Sequence, residues 1–251
     1  MRPRRGHLIA ASIAALAAGC PAQSGGPPDA LAGFDAGTTD AARGGDGAVP
    51  WRHTIVIDGT NDFTVPETFP TTSVGFSAYV TWDDDALYLG YTGADVSPGA
   101  ADSGQKWVFV YLDLDPGAGT GAASGEQYNT QTPTMPSGLA AERYWRWKVD
   151  GTLGDVRAYA GGAWSTVDVP TAAAGTDFVE VAIPWTSLGQ PEAVGVVGLM
   201  LNEKAFAEGA YAGLYADSFT DGYYPSIPIS RWLWVDRASA RAPTSPDNRR
   251  P

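Results

Sequence analysis

Between residues 51 and 237, apolar and polar positions alternate with a period of two, and Gly, Pro and Asp residues interrupt the alternation at short intervals. Successive side chains of a β-strand point to opposite faces, so this period indicates strands. A helical period extends over no more than one turn, at residues 185–188. The alternation predicts short strands over residues 54–57, 76–82, 87–93, 107–114, 143–149, 156–160, 178–183, 194–201 and 231–235.

The predicted strand over residues 107–114 shows how the two faces differ. One face carries Val108, Val110, Leu112 and Leu114, and the other carries Trp107, Phe109, Tyr111 and Asp113. Many short strands joined by Gly and Pro turns are typical of an all-β fold. We therefore expect an antiparallel β-sandwich of the immunoglobulin-like or jelly-roll-like type, with a closed barrel as the alternative.

The first 19 residues have the composition of an export signal. Three arginines lie within residues 1–5, an uncharged and largely apolar run covers residues 8–18, and Gly19 and Cys20 follow. This order is typical of a bacterial signal peptide. The apolar run is too short to span a bilayer as a helix, which takes roughly 20 apolar residues. We therefore predict a signal peptide over residues 1–19.

Residues 16–20, LAAGC, resemble a bacterial lipobox, with the Leu one position earlier than in that motif. The resemblance implies that the thiol of Cys20 accepts a diacylglycerol group. The alternative is an ordinary secretory signal, which would leave the only cysteine of the chain as an unpaired thiol in an oxidising compartment. We therefore expect an exported protein that its lipid anchors in the cell envelope, at the outer membrane if the host has one.

Composition divides the rest of the chain into three parts. Residues 20–50 are rich in Pro, Gly, Ala, Asp, Ser and Thr, and they bury too little apolar surface to offset their ordering entropy, so we expect a flexible linker after the lipidated Cys. Residues 51–237 hold the alternating pattern and have a length suited to one domain. Residues 238–251 resemble the linker and are expected to form a disordered tail.

The chain is acidic, with a net charge of −12, and removal of residues 1–19 takes away three arginines and no acids, which leaves −15. Such a surface repels nucleic acid and anionic lipid. Nucleic acid is therefore excluded as a partner, and contact with a membrane is expected only through the lipid anchor. The charge is compatible with neutral ligands and with divalent cations.

Three segments, in order along the domain, carry a family resemblance. Residues 57–63 read IDGTNDF, residues 79–89 read YVTWDDDALYL, and residues 178–189 read FVEVAIPWTSLG. Together they resemble the carbohydrate-binding module family 9-like domains, part of the wider DOMON-like group of β-sandwiches. The resemblance implies a sandwich that often binds sugars, in some members with structural calcium, while other members of the wider group bind haem.

The chain departs from the simpler members of this family by a Gly-, Ala- and Thr-rich excursion over residues 116–141. Insertions of this length are often binding loops or flaps. Because one fold hosts many functions, the resemblance does not name the ligand.

Acidic residues at two predicted turns are candidate metal ligands. Residues 113–121, DLDPGAGTG, place two carboxylates on one face at the end of a strand, before glycines that let the backbone turn back. Calcium takes about 6 to 8 oxygen ligands, and the predicted hairpin at residues 83–85 supplies more carboxylates if it lies beside this strand end. We therefore predict a structural calcium site formed by Asp113, Asp115, Asp83 and Asp85. The alternative is that these acids stabilise turns and solubilise the surface.

Aromatic residues are the candidate ligand platforms. Two pairs of tryptophans are spaced at i and i+2, so both rings of a pair point to one face of a strand. Aromatic rings stack on the flat CH-rich faces of sugars, while polar side chains bind the hydroxyl groups. The candidate carbohydrate-binding residues are Trp232 and Trp234, Trp145 and Trp147, and Trp107 and Tyr111. The alternative is that these rings fill the core between the sheets.

Catalysis and haem binding have little support. His53 is the only histidine that remains after removal of residues 1–19, so a Ser-His-Asp triad is not expected. A glycosidase needs only two carboxylates, but no spacing among the many acids picks out a pair. Haem is not expected, because its axial ligand would be His53, Met135 in a loop between two prolines, or Met200 in an apolar strand.

The sequence therefore predicts a non-catalytic, lipid-anchored envelope protein that binds carbohydrate through a family 9-like β-sandwich. Two alternatives stay open at this point: a polysaccharide hydrolase that uses paired carboxylates, and a structural or partner-binding surface domain.

Overall fold

The computed structural model describes residues 48–244 and the backbone of residues 248–249, all within one unit that spans Gly45–Pro251. The predicted signal peptide, the predicted lipidation site at Cys20 and residues 20–47 of the predicted linker lie outside the described residues. The same holds for residues 245–247 and 250–251 of the predicted tail.

Nearly all regular structure among the described residues is β-strand, as the alternation predicts. The strands in chain order are β1 (Thr68–Pro70), β2 (Ser77–Trp82), β3 (Ala86–Thr92), β4 (Lys106–Asp113), β5 (Thr132–Thr134), β6 (Arg143–Lys148), β7 (Gly154–Ala160), β8 (Ala163–Asp168), β9 (Thr171–Ala174), β10 (Phe178–Pro184), β11 (Ala193–Asn202), β12 (Gly209–Tyr211), β13 (Ser226–Pro228), β14 (Trp232–Asp236) and β15 (Asn248–Arg249). Two short 3-10 turns, Val65–Glu67 and Ser103–Gln105, are the helical elements in this part of the chain.

The smaller sheet has the strand order β1-β2-β3-β10-β9, and all neighbouring strands are antiparallel. Strands β2 and β3 form the hairpin that the sequence predicts. Asp83 stabilises its turn, because Asp83 Oδ1 accepts hydrogen bonds from the backbone N–H groups of Asp85 (2.8 Å) and Ala86 (2.9 Å). Aspartate is common in tight turns for this reason.

The larger sheet has the order β15-β14-β11-β4-β6-β7-β8, again with antiparallel neighbours, and β12 pairs with the second half of β11. Strand β11 lies between β14 and β4, and its residues Gly195 and Val196 pair with both of them. The residues where β4 and β14 end are therefore neighbours across the start of β11.

The core between the two sheets takes one face from each strand. It contains the aliphatic face of β4, the alternating Val179, Val181 and Ile183 of β10, and large rings such as Trp185. Burial of this much apolar surface is the main stabilising contribution in a sandwich, at about 25 cal/mol per Å². The predicted antiparallel β-sandwich and the predicted faces of residues 107–114 are confirmed.

Residues 51–67 run across the outer face of the smaller sheet. Ile55 packs there against Ala86 and Tyr88. The prediction of a strand over residues 54–57 is wrong, because this segment crosses the face of the sheet and does not pair with a sheet edge.

The outer face of the larger sheet is also covered. The excursion over residues 116–141 folds back onto this face, where its Met135 and Leu139 are buried. Residues 219–229 cover another part of the face, where Ile227 is buried. The two covering segments are joined by a short parallel ladder between β5 and β13.

The other predicted strands are present, with ends displaced by at most two residues. The shortest strands, such as β1, β5 and β12, were not predicted, because three residues give no readable alternation. Residues 185–189 form a turn. The described residues contain no helix that is long and apolar enough to cross a membrane.

Candidate functional site

Three carboxylates meet where β4 ends and β6 begins. Asp113 is the last residue of β4, Asp115 follows in the turn, and Glu142 directly precedes β6. One carboxylate oxygen from each residue lies within 4.8 Å of the others. We call these three residues the carboxylate cluster. The structure thus brings together two of the predicted metal ligands and adds Glu142, which the sequence did not single out.

The carboxylate cluster also holds the excursion in place. Asp113 Oδ2 accepts a hydrogen bond from the backbone N–H of Ala140 (2.9 Å), and Glu142 Oε2 accepts one from the backbone N–H of Leu114 (2.8 Å). The hydroxyl group of Thr120 lies 2.8 Å from Glu142 Oε1. Each carboxylate oxygen can accept more than one bond, so these contacts leave the cluster able to bind a cation.

Burial and repulsion from neighbouring carboxylates disfavour ionisation of Asp113 and Glu142. Burial raises the pKa of Asp113 to about 6, and the charges of Glu142 and Asp115 act in the same direction against two backbone hydrogen bonds. Burial also raises the pKa of Glu142. A bound divalent cation would offset both effects, because it supplies opposite charge to three hard oxygen donors.

Asp83 and Asp85 lie apart from this cluster. Besides the two backbone bonds in the hairpin, Asp83 Oδ2 accepts hydrogen bonds from the hydroxyl groups of Thr54 (2.6 Å) and Tyr88 (2.8 Å). Burial opposes ionisation of Asp83, but these bonds outweigh it and hold its pKa below the usual value. Asp85 is exposed and is not part of the carboxylate cluster. The predicted set of four aspartates is therefore corrected to Asp113 and Asp115 with Glu142.

The segments that carry the family resemblance are bonded to one another. Glu180 Oε1 accepts hydrogen bonds from the backbone N–H groups of Asp58 (2.8 Å) and Gly59 (2.7 Å). Trp185 Nε1 donates to the backbone carbonyl of Asp83 (2.8 Å). The polar residues in these segments therefore stabilise the fold. For this reason the segments indicate a β-sandwich and do not indicate a ligand.

Trp145 and Trp147 are closed off from any ligand. Trp145 is fully buried and Trp147 is 5% exposed, and both rings lie in the core between the sheets. Their i, i+2 spacing reflects a shared core face. These two rings therefore fill the core between the sheets, which is the alternative interpretation of their spacing. Neither residue is a candidate ligand platform.

Trp107 and Tyr111 stand on the outer face of the larger sheet, where the excursion covers them. They are 6% and 0% exposed. The ring of Tyr128, from the excursion, lies 5.3 Å from the ring of Trp107 and 4.8 Å from that of Phe109. Glu126, also from the excursion, accepts hydrogen bonds from the guanidinium of Arg157 at 2.5 and 2.7 Å. In this arrangement Trp107 and Tyr111 do not reach a ligand.

Of the predicted aromatic set, Trp234 lines a cavity formed by described residues. Its partner Trp232 is 6% exposed, with ring centroids 5.8 Å apart, whereas Trp234 is only partly buried. The cavity is an open groove of about 440 Å³, which we call the Trp234 groove. Its lining includes Leu114, Asp115, Pro116, Glu192, Ala193 and Trp234.

A second cavity, of about 500 Å³, lies at the same end of the sandwich, and we call it the Trp51 cavity. The sequence did not single out Trp51, because it stands alone at the start of the domain with no ring at i+2. The lining of the Trp51 cavity includes Trp51, Asp84, Gln190, Glu192, Asp236 and Arg237.

The sequence matches no known family profile. It also matches no curated protein. Among solved structures, the chain is similar to a carbohydrate binding module of family 9 from Caldicellulosiruptor kristjanssonii, determined in complex with cellotriose. The match covers 65% of this chain and 80% of that chain, at 17% sequence identity and a TM-score of 0.40. Function must therefore be inferred from the residues of this chain.

Proposed function

We propose that this chain is a non-catalytic, lipid-anchored envelope protein whose β-sandwich binds neutral carbohydrate in the Trp234 groove. The observation that carries the proposal is the partly exposed ring of Trp234 in a groove that also holds the carboxylates of Asp115 and Glu192. An aromatic ring beside hydrogen-bond acceptors is the arrangement that recognises a sugar, through its CH face and its hydroxyl groups.

The larger sheet supports the groove rigidly. Trp234 pairs with Gly195, and Gly195 pairs with Asp113, so the ring and the carboxylate cluster share one face of the sheet. Neighbouring strands lie about 4.8 Å apart, which puts the Cα atoms of Trp234 and Asp113 about 10 Å apart. A site on paired strands keeps its geometry without a ligand, and this lowers the entropy cost of binding.

The charge of the groove favours neutral sugars. Among the described residues that line it, Asp115 and Glu192 are charged and none is basic. Carboxylates accept hydrogen bonds from sugar hydroxyl groups but repel uronic acids and sulfated sugars. A neutral polysaccharide is therefore the proposed ligand class.

Affinity electrophoresis tests this proposal. The purified full chain is run through gels that contain soluble neutral β-glucan, xylan or mannan, and we expect at least one polymer to retard it. Trp234→Ala should abolish the retardation. Trp164→Ala is the matched control, because Trp164 is also a partly buried ring on the outer face but lines neither the Trp234 groove nor the Trp51 cavity. If no polymer retards the chain, or if Trp234→Ala is retarded as strongly as the original, the carbohydrate proposal fails.

The carboxylate cluster is proposed as a calcium site that stabilises the wall of the groove. Asp115 belongs to both the cluster and the groove lining, so a cation held by Asp113, Asp115 and Glu142 would fix the turn that follows β4. Calcium bound there would supply structural order; no chemical step is assigned to it.

The alternative function, a polysaccharide hydrolase with paired carboxylates, requires an acid and a base that reach the glycosidic bond. Asp113 has a raised pKa, as a general acid would, but it is 1% exposed and both of its oxygens accept backbone N–H groups. This burial argues against Asp113 as the general acid of a hydrolase. Release of reducing sugar from a polymer that retards the chain would support the hydrolase instead.

The anchoring part of the proposal rests on the sequence of residues 1–20. Cys20 would carry the lipid, and residues 20–50 would connect it to the sandwich. A tether of this composition lets a binding domain reach a polymer some distance from the membrane. Location at the outer membrane is proposed for a host that has one.

A further inference from the structure

We infer that the Trp234 groove and the Trp51 cavity are two parts of one elongated site, which takes a linear neutral oligosaccharide of several sugar units. The inference rests on the proposed function and adds the length of the ligand and a second aromatic platform, Trp51.

The first observation is that the two cavities share a wall. Glu192 lines both of them. Ala193, the next residue, lines the groove, while Asp236 lines the Trp51 cavity, and these two residues are directly paired between β11 and β14. The start of β11 and the end of β14 therefore contribute residues to both cavities. Trp234 lines one of these cavities and Trp51 lines the other.

The second observation is that Trp51 is held in position by its own contacts. Its backbone N–H donates to the carbonyl of Ser239 at 2.5 Å, and its Nε1 donates to Thr81 Oγ1 at 3.1 Å. Its ring meets that of His53 edge-on, with centroids 6.3 Å apart. The ring packs against the core and is partly exposed, so its orientation is fixed and stacking on its exposed part costs little side-chain entropy.

The third observation concerns the polar groups that line the Trp51 cavity. The Arg237 guanidinium lies 4.4 Å from the ring of Trp185, and it donates to Gln190 Oε1 (3.0 Å) and to the carbonyl of Pro191 (3.1 Å). Asp84, Glu192 and Asp236 are exposed in the same cavity. Arg237 and the carboxylates offer donors and acceptors for hydroxyl groups. Because Asp84 is paired with Arg52 at 2.8 Å, the charges of Glu192 and Asp236 are the ones that disfavour acidic sugars. Both cavities therefore favour neutral sugars over acidic sugars.

A short sugar fills one cavity and meets one ring, whereas a longer chain that passes Glu192 meets both rings. Affinity should therefore increase with the number of sugar units and level off once both cavities are filled. A stacking contact of ordinary strength raises affinity by up to about tenfold.

The test is a titration of the purified full chain, by isothermal calorimetry, with β-1,4-linked glucose, xylose and mannose oligomers of two to six units. We expect about a tenfold rise in affinity from the shortest to the longest member of the series that binds, and Trp51→Ala should remove this rise. Trp164→Ala serves as the control for loss of an indole ring outside both cavities, and melting temperatures of all variants verify that they fold. Should Trp51→Ala not fold, Trp51→Leu keeps apolar bulk without a ring and should remove the rise, and a rise that persists in Trp51→Leu would equally overturn the elongated site.

The outcomes separate the inference from the function on which it rests. If sugars bind with the same affinity at every length in the original chain, or if the rise persists in Trp51→Ala, the elongated site is wrong while the Trp234 groove can stand. If no oligomer binds, both the inference and the proposed function fail. If binding is lost in Trp51→Ala and unchanged in Trp234→Ala, the Trp51 cavity is the whole site and the elongated site is again wrong.

Discussion

Gly195 of β11 lies against the ring of Trp232 so closely that a Cβ atom at position 195 would be 3.1 Å from Trp232 Cε3. The same Cβ would lie 3.0 Å from Leu139 Cδ1 and 3.2 Å from Asp113 Cβ. Because position 195 has no side chain, Leu139 of the excursion, Trp232, and Asp113 of the carboxylate cluster can pack together against its backbone.

Gly195→Ala should destabilise the sandwich. The added methyl group overpacks three side chains that are themselves enclosed, which typically costs about 1 to 3 kcal/mol. Thermal melting measures the loss, and Gly99→Ala is the matched control, because a Cβ at position 99 meets nothing closer than 3.7 Å. Equal melting temperatures for the two variants would show that Leu139 and Trp232 shift to accommodate the added methyl group without loss of stability.

The tryptophans of the predicted set should separate by their effect on stability. Trp145→Ala removes a fully buried ring and should lower the free energy of unfolding by about 3 to 5 kcal/mol. Trp234→Ala removes a partly exposed ring and should cost less than about 2 kcal/mol, because less apolar surface returns to water. Urea denaturation followed by circular dichroism gives both values. A loss for Trp234→Ala as large as that for Trp145→Ala would place Trp234 in the core.

Calcium should stabilise the folded chain through the carboxylate cluster. At a calcium concentration 100 times its dissociation constant, the free energy of unfolding should rise by about 2.7 kcal/mol, and a chelator should reverse the rise. Asp113→Asn should abolish this response, whereas Asp85→Asn should keep it, since Asp85 lies outside the cluster. Calorimetric melting with and without calcium measures the effect. A melting temperature that calcium leaves unchanged in the original chain would exclude a stabilising site.

Acid should destabilise the sandwich in part through Asp155. Burial opposes ionisation of Asp155, but bonds from Arg146 (2.6 and 2.9 Å) and Thr166 (2.7 Å) outweigh it and lower its pKa. A pKa that is lower in the folded state than in the unfolded state contributes stability above the unfolded value of about 3.9, and this contribution is lost as the pH falls through the folded value. Asp155→Asn should therefore show a weaker loss of stability than the original chain between about pH 4 and pH 2.

Denaturation in urea across this pH range measures the difference. Asp84→Asn is the control, because Asp84 is exposed and makes only a surface ion pair with Arg52. If Asp155→Asn and the original chain lose stability in parallel as the pH falls, Asp155 is not a source of the acid sensitivity.

Cys20→Ser should abolish lipidation. In a bacterial host grown with a labelled fatty acid, the original chain should carry the label and sediment with membranes, because a single acylated cysteine is the proposed anchor. The variant should lose the label and either keep residues 1–19 or appear in the soluble fraction. A deletion within residues 24–44 that keeps Cys20 is the control and should stay labelled. Absence of label from the original chain would contradict the lipoprotein proposal.

The strands and their faces follow from the sequence alone because a period of two is a local property. The alternation in residues 107–114 is enough to assign Val108 and Val110 to one face and Trp107 and Tyr111 to the other, and the structure agrees. Turn signals are local as well, which is why the hairpin at Asp83 is readable before any tertiary contact is known.

Whether a face is open or covered is decided only by the tertiary structure. The i, i+2 spacing of Trp145 with Trp147 and of Trp232 with Trp234 is the same, but the first pair faces the other sheet and the second faces the excursion. Nothing in the local pattern distinguishes a ring against a sheet from a ring against solvent, because each environment comes from residues distant in sequence.

The carboxylate cluster and the elongated site depend on distant residues in the same way. Glu142 reaches Asp113 because β6 returns beside β4 after the excursion, and Glu192 connects the two cavities because β11 starts between the ends of β4 and β14. The sequence by itself determined the sandwich and the residue types proposed to bind sugar and calcium, while the export signal stays a prediction from the sequence. Strand pairing brought Trp234 and the carboxylates to one end of the sandwich, and contacts with Ser239 and Thr81 hold Trp51 there. These long-range contacts are set by the packing of the whole core and leave no local signature.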